Sequence, residues 1–171
     1  MASLSDRLHN VYSNISASRE EEAQARAQDP EALMPTQVFD DYWIWQEAPE
    51  EKGETLGKWL VFKHKSVIDK TWATVRKAVA SGELGPGCNG AKVATMLENP
   101  TATNPDIKVI CVYTTAEDVD PVGLKLIQLV KQKIRYKTDE ATMAGVYAIN
   151  GFTKTTCRTL DWNNGNPKFT E

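Results

Sequence analysis

Residues 57–82, Gly-Lys-Trp-Leu-Val-Phe-Lys-His-Lys-Ser-Val-Ile-Asp-Lys-Thr-Trp-Ala-Thr-Val-Arg-Lys-Ala-Val-Ala-Ser-Gly, constrain the fold of this chain more than any other stretch. Trp59 to Phe62 are apolar at four successive positions, which predicts a strand covered on both faces. Ser66 offers a side-chain oxygen to the first amides of a helix, and Asp69 meets that helix's positive end. Ile68, Trp72, Val75 and Val79 recur at steps of four, three and four, so one stripe of the helix is apolar. Lys70, Arg76 and Lys77 lie off the stripe, and Gly82 supplies the stop. A strand feeding directly into an amphipathic helix implies a layered domain in which helix packs on sheet.

The rest of the chain repeats that grammar. Leu4, Leu8, Val11, Tyr12 and Ile15 predict a helix over about residues 3–27, and its second half is acidic and polar. Asp29-Pro30 and Met34-Pro35 mark a linker, so residues 1–36 are read as an N-terminal helix and linker and 37–171 as one domain. Tyr42-Trp43-Ile44-Trp45 is a compact aromatic strand. Ala91 to Met96 and Lys108 to Thr114 are two more, the latter with five apolar residues in a row and the strongest candidate for the sheet centre. Asp120 before Pro121 is read as the cap of a second helix running to about Lys133. Ile134 to Thr138 and Ala144 to Ile149 read as short strands, and the last 20 residues as loop and weak strand. Paired strands punctuated by helices predict an α+β domain, with a mixed or mostly antiparallel sheet backed on one face by helices.

Composition narrows the class. The chain is 41% hydrophobic and 25% charged, which is globular rather than disordered composition. Its apolar runs reach only four or five residues, against roughly 20 needed to cross a bilayer, so no membrane partner is expected. The N-terminus has no apolar signal core and Ala2 is not a myristoylation acceptor. The expected compartment is the cytosol, with the nucleus second. Cys88, Cys111 and Cys157 are widely spaced and odd in number, which argues against a disulfide framework. Charge is uneven. Residues 1–60 carry 5 basic and 12 acidic groups, residues 61–171 carry 15 and 11. The basic excess concentrates between Pro121 and Arg158 and suits an anionic ligand on the C-terminal half.

The tempting catalytic motifs fail on context. Gly85-Pro86-Gly87-Cys88-Asn89-Gly90 matches a dinucleotide fingerprint letter for letter. That chemistry needs glycines that leave a strand and open a helix, and here they leave a helix and enter a strand. Gly85 to Lys92 imitates a phosphate-binding loop, but the spacing is one residue too long and Val93 stands where Ser or Thr is required. His9 and His64 lie in different elements with no Cys/His cluster, so neither a metal site nor a cofactor is expected. Cys111, mid-strand in an apolar run, reads as a small buried hydrophobe.

What remains is a set of cations beside aromatic residues. Arg135 and Lys137 alternate on one strand and so share a face. Tyr147 follows one element later, Arg158 lies beyond it, and Lys92 projects from the strand after the glycine turn. Charge for a phosphate and a π face for a ring are what a nucleotide ligand requires. The candidate binding residues are therefore Lys92, Arg135, Lys137, Tyr147 and Arg158, with no catalytic group assigned.

Several blocks together also carry a family resemblance. In order, these are Gly57-Lys58-Trp59-Leu60-Val61-Phe62, Asp69 with Trp72, Gly90-Ala91-Lys92-Val93-Ala94-Thr95, Val109-Ile110-Cys111-Val112-Tyr113-Thr114, and Tyr136-Lys137-Thr138-Asp139 with Thr142, Gly145 and Tyr147. Over roughly residues 40–150 the chain resembles the basophilic leukemia expressed protein family, whose fold is similar to that of the messenger-RNA cap-binding translation initiation factor. The resemblance implies a curved sheet backed by helices with a concave ligand face. Cap binders hold the methylated base between two loop tryptophans. Here residues 46–57 contain none, and Trp43, Trp45, Trp59 and Trp72 are expected in the core. The loop 96–108 offers only Lys108 for the cap phosphates, so cap recognition of the usual kind is not expected.

The reading that follows is a non-enzymatic binding module for RNA or a nucleotide on the concave face, with no DNA expected. The alternative is a protein-interaction module acting through residues 4–27. A third reading is an enzyme on a phosphorylated substrate, with Lys92 or Lys137 as base and His64 as acid.

Overall fold

A computed structural model of the chain describes residues 32–171; the helix expected over 3–27, and with it the protein-docking segment 4–27, lies outside the described residues. In chain order the elements are β1 (Trp43–Glu47), β2 (Thr55–His64), α1 (Ile68–Ser81), β3 (Cys88–Ala94), β4 (Ile107–Thr115), α2 (Val119–Val130), β5 (Ile134–Thr138), the short α3 (Asp139–Met143), β6 (Arg158–Asn163) and β7 (Asn166–Thr170). The seven strands form one sheet in the order β1-β3-β4-β2-β5-β6-β7. Every pairing is antiparallel, with β1 and β7 as its two edges, so the sheet is open and curved rather than closed. The fold is the expected α+β class. β2 stands at the middle of the order, with β4 beside it.

The two long helices cover one face. Ile68, Trp72, Val75 and Val79 of α1 and Val122, Leu126 and Ile127 of α2 are buried against Ile44, Trp59, Val61, Val93, Ile110, Val112, Ile134, Tyr136 and Leu160. Alternation along each strand sends these residues to the helices and their neighbours to the opposite, open face. The contact is close at Gly123, where an added Cβ would stand 2.5 Å from Cζ2 of Trp59. Only hydrogen fits there, and the Trp59 Nε1–H donates to the Val119 carbonyl at 2.7 Å. The packed body reaches back to Ala32, which is buried, and Thr36 donates from its amide and its hydroxyl to the Asp69 carboxylate.

Four local expectations are corrected. Ser66 does not cap α1. The N-cap is Val67 without a side-chain bond, because the Ser66 hydroxyl is engaged with Nδ1 of His64 at 2.9 Å. Arg76 is buried, although it lies off the apolar stripe. α2 begins at Val119 and stops at Val130, where Lys131 turns left-handed at φ 51°. Residues 144–149 form no strand: Gly145 takes φ 73°, Ala148–Asn150 make a 3-10 turn, and the Val146 carbonyl accepts from Nζ of Lys137 instead of joining a ladder. The glycine motif 85–90 connects α1 to β3, as read from sequence, and Gly82 ends α1 at φ 76°.

Candidate binding hollow on the open sheet face

The open face is built by register. On β2, Lys58 stands opposite Tyr113 of β4 on one side and opposite Lys137 of β5 on the other. Leu60 stands opposite Cys111, Cys111 opposite Lys92 of β3, and Lys92 opposite Trp45 of β1. Trp43 is two residues before Trp45 and shares its face. Three lysines and a tryptophan pair thus converge over Cys111, and the surface sinks there into a cavity of about 330 Å³. Asn99 to Asn104 of the β3–β4 loop wall one side, and Thr142, Tyr147 and Thr155 wall another.

Each of the three ammonium groups has an aromatic ring against it. Nζ of Lys92 lies 3.7 Å from the centroid of Trp43, and 5.1 Å from one of the Trp45 rings. Nζ of Lys137 lies 3.6 Å from Tyr147, and Nζ of Lys58 lies 5.5 Å from Tyr113. Tyr113 in turn stacks on Trp45 at 5.9 Å with the planes 14° apart. A π face steadies a cation by about 0.5–2 kcal/mol without cancelling its charge.

Polar partners are unequal. Lys58 donates to the Asp139 carboxylate at 3.2 Å, and Lys137 to the neutral Val146 carbonyl at 2.5 Å. Among the described residues Lys92 has the rings as its partners, and Asp139 is the only carboxylate whose field acts on it. Yet Lys58 and Lys137 are 8% and 4% exposed. Three ammonium groups against one carboxylate leave a formal excess of two positive charges in a largely dry place. Burial holds the Lys92 and Lys137 amines below the ordinary lysine value, and the neighbouring Lys58 charge pushes the same way. The Cys111 thiol is pushed up by its burial, despite the three lysines that favour its thiolate. A fourth lysine, Lys108, lines the far end, buried in the fields of Lys65, Asp106 and Glu98.

The structure therefore brings Lys92, Lys137 and Tyr147 together and adds Lys58, Trp43 and Asp139, which sequence reasoning did not select. Arg135 shares the Lys137 side of the sheet but is exposed and outside the hollow. Arg158 stands opposite Tyr136, so it is on the covered face, where its guanidinium donates to Asp120 at 2.7 Å beside a separate cleft of about 440 Å³. Trp43 and Trp45 are not in the core as expected. Trp59 and Trp72 are fully buried, whereas Trp43 is half-buried and Trp45 is 48% exposed. Ile44 and Gln46 take the inward positions of β1 in their place. His64, the acid of the enzymatic reading, is exposed at the end of β2 and lines no part of the hollow.

Among the described residues there is no group of three His, Cys, Asp or Glu suited to a metal ion. No described helix is long and apolar enough to cross a membrane. A family model described as "Basophilic leukemia-expressed protein Bles03" matches residues 5–144, more than half of the chain, and so takes in N-terminal residues beyond the blocks quoted above. No curated protein matches the chain.

Proposed function

We propose that this chain, which belongs to the basophilic leukemia-expressed protein Bles03 family, is a non-enzymatic binding module that takes RNA or a nucleotide in the hollow on its open sheet face. The observation that carries the reading is the charge of that hollow: among the described residues, Lys58, Lys92 and Lys137 against Asp139. Burying cations without anions is costly, and a bound phosphate removes the cost. Trp43 and Tyr147 line the same cavity and offer rings beside the amines for a base.

The test is salt-dependent binding of a short single-stranded RNA, followed by fluorescence anisotropy. Lys92→Ala and Lys137→Ala should each weaken binding about tenfold or more, the loss typical of one charge-assisted hydrogen bond. Each should also reduce the slope against salt by roughly 1. Binding that is unchanged in both variants, with folding intact by circular dichroism, overturns the reading.

A further inference from the structure

We infer that the hollow selects a terminal phosphomonoester, carried by a mononucleotide or by a phosphorylated RNA end, over the internal phosphodiester of a nucleic-acid backbone. The inference rests on the reading just given and names the group that the site takes. Its basis is charge stoichiometry. Among the described residues, the ammonium groups of Lys58, Lys92 and Lys137 against the Asp139 carboxylate leave an excess of two positive charges around Cys111, and Lys108 adds a further cation at the far end. A phosphomonoester carries close to two negative charges at neutral pH, its second ionisation lying near pH 6, whereas a diester carries one. The monoester meets the excess around Cys111, whereas the diester leaves positive charge unmatched there.

The way the amines are held points to the same group. A carboxylate fixed on each lysine would have cancelled its charge. Here the lysines are backed by Trp43, Tyr147 and Tyr113 at 3.7, 3.6 and 5.5 Å, which orient them and leave the charge for a ligand. Lys58 and Lys137 face each other across adjacent strands, and Lys92 lies beyond Cys111 on the same face, so the three converge from two sides. A cavity of about 330 Å³, walled by the β3–β4 loop and by Tyr147, has room for one nucleotide unit rather than a long backbone track. The amines replace the water of the doubly charged phosphate, and the extra charge is worth more there than in bulk solvent.

The experiment is calorimetric titration of the full chain with 5′-AMP, with 3′,5′-cyclic AMP as the diester, and with adenosine. 5′-AMP should bind about tenfold tighter than cyclic AMP at pH 7.5, since one further charge meets partly buried cations. The ratio should shrink at pH 5.5, where AMP has lost most of its second charge. Lys92→Met should also shrink it. Cyclic AMP within twofold of AMP, or a ratio that does not move with pH, overturns the inference and leaves nucleotide binding standing. No binding of either overturns both. A 5′-phosphorylated tetranucleotide against its 5′-hydroxyl counterpart gives the source: a preference for the phosphorylated end supports an RNA terminus, and equal weak binding beside tight AMP binding supports the free nucleotide.

Discussion

Both faces of this sheet use tryptophan and both bury charged groups, but they treat the charge in opposite ways. On the covered face Trp59 is sealed under α2, its indole N–H satisfied by Val119, and Arg158 at the margin is matched by Asp120. On the open face Trp43 lies against the Lys92 ammonium, and among the described residues Lys58, Lys92 and Lys137 have Asp139 as their one carboxylate. The margin of the covered face is paired at Asp120; on the binding reading proposed above, the open face is balanced only when something anionic arrives. Fully buried side chains therefore do not mean a finished core. Lys137 is as deeply buried as Tyr136 beside it, yet one completes the packing and the other sets an ammonium group against the Tyr147 ring.

The largest effect that would sharpen this contrast is on stability. Trp59→Ala should cost about 3–5 kcal/mol, the loss of a wholly buried aromatic together with its cavity. Trp43→Ala should cost about 1 kcal/mol or less, because a half-buried ring leaves solvent rather than a void. Urea unfolding measures both. Equal losses would mean that the two faces are equivalent cores. Gly123→Ala comes next, at about 1–3 kcal/mol, since the methyl group would collide with the Trp59 ring.

On ligand binding the contrast reverses. Lys92→Ala should weaken an anionic ligand about tenfold. Arg158→Ala should leave it within twofold, because Arg158 occupies the other face and is already matched by Asp120 and, at 3.9 Å, Glu171. Asp139→Asn should tighten the ligand severalfold by removing the one competing carboxylate among the described residues, while lowering stability by about 1 kcal/mol as the charged bond to Lys58 becomes a weaker neutral one. An Arg158→Ala loss as large as that of Lys92→Ala would break the two-face picture.

Periodicity carried the layers but not the hollow. The stripe Ile68, Trp72, Val75, Val79 and the apolar run of β4 are local patterns, and the structure places the stripe and, from the run, Ile110 and Val112 in the core. Lys92, Lys137 and Tyr147 were legible as cations and a ring near strands. Lys58 was not, because its place between Tyr113 and Lys137 is a matter of register, and register is set by distant partners rather than by neighbours in sequence. The same ignorance grouped Arg158 with them: only its pairing with Tyr136 shows that it faces the helices. The Trp43-Ile44-Trp45 alternation did contain a signal. Two tryptophans two residues apart share a face, and Ile44 between them fits the dry side. The expectation that a tryptophan on a strand or helix belongs in the core concealed it.

The smallest expected effect is in alkaline pH. Burial holds the Lys92 and Lys137 amines below the ordinary lysine value of 10.5, so their protons leave earlier than those of surface lysines as pH rises. Affinity for a phosphate, already fully ionised by then, should start to fall below pH 10.5 as each amine loses the charge that holds it. The sign is fixed by the direction of the shift: a raised value would have kept affinity flat beyond 10.5. Lys92→Arg keeps its charge to higher pH and should move the fall upward while retaining measurable binding. An alkaline limb at the same pH in wild type and Lys92→Arg would assign the fall to Lys137, which still loses its proton early in that variant, rather than to Lys92.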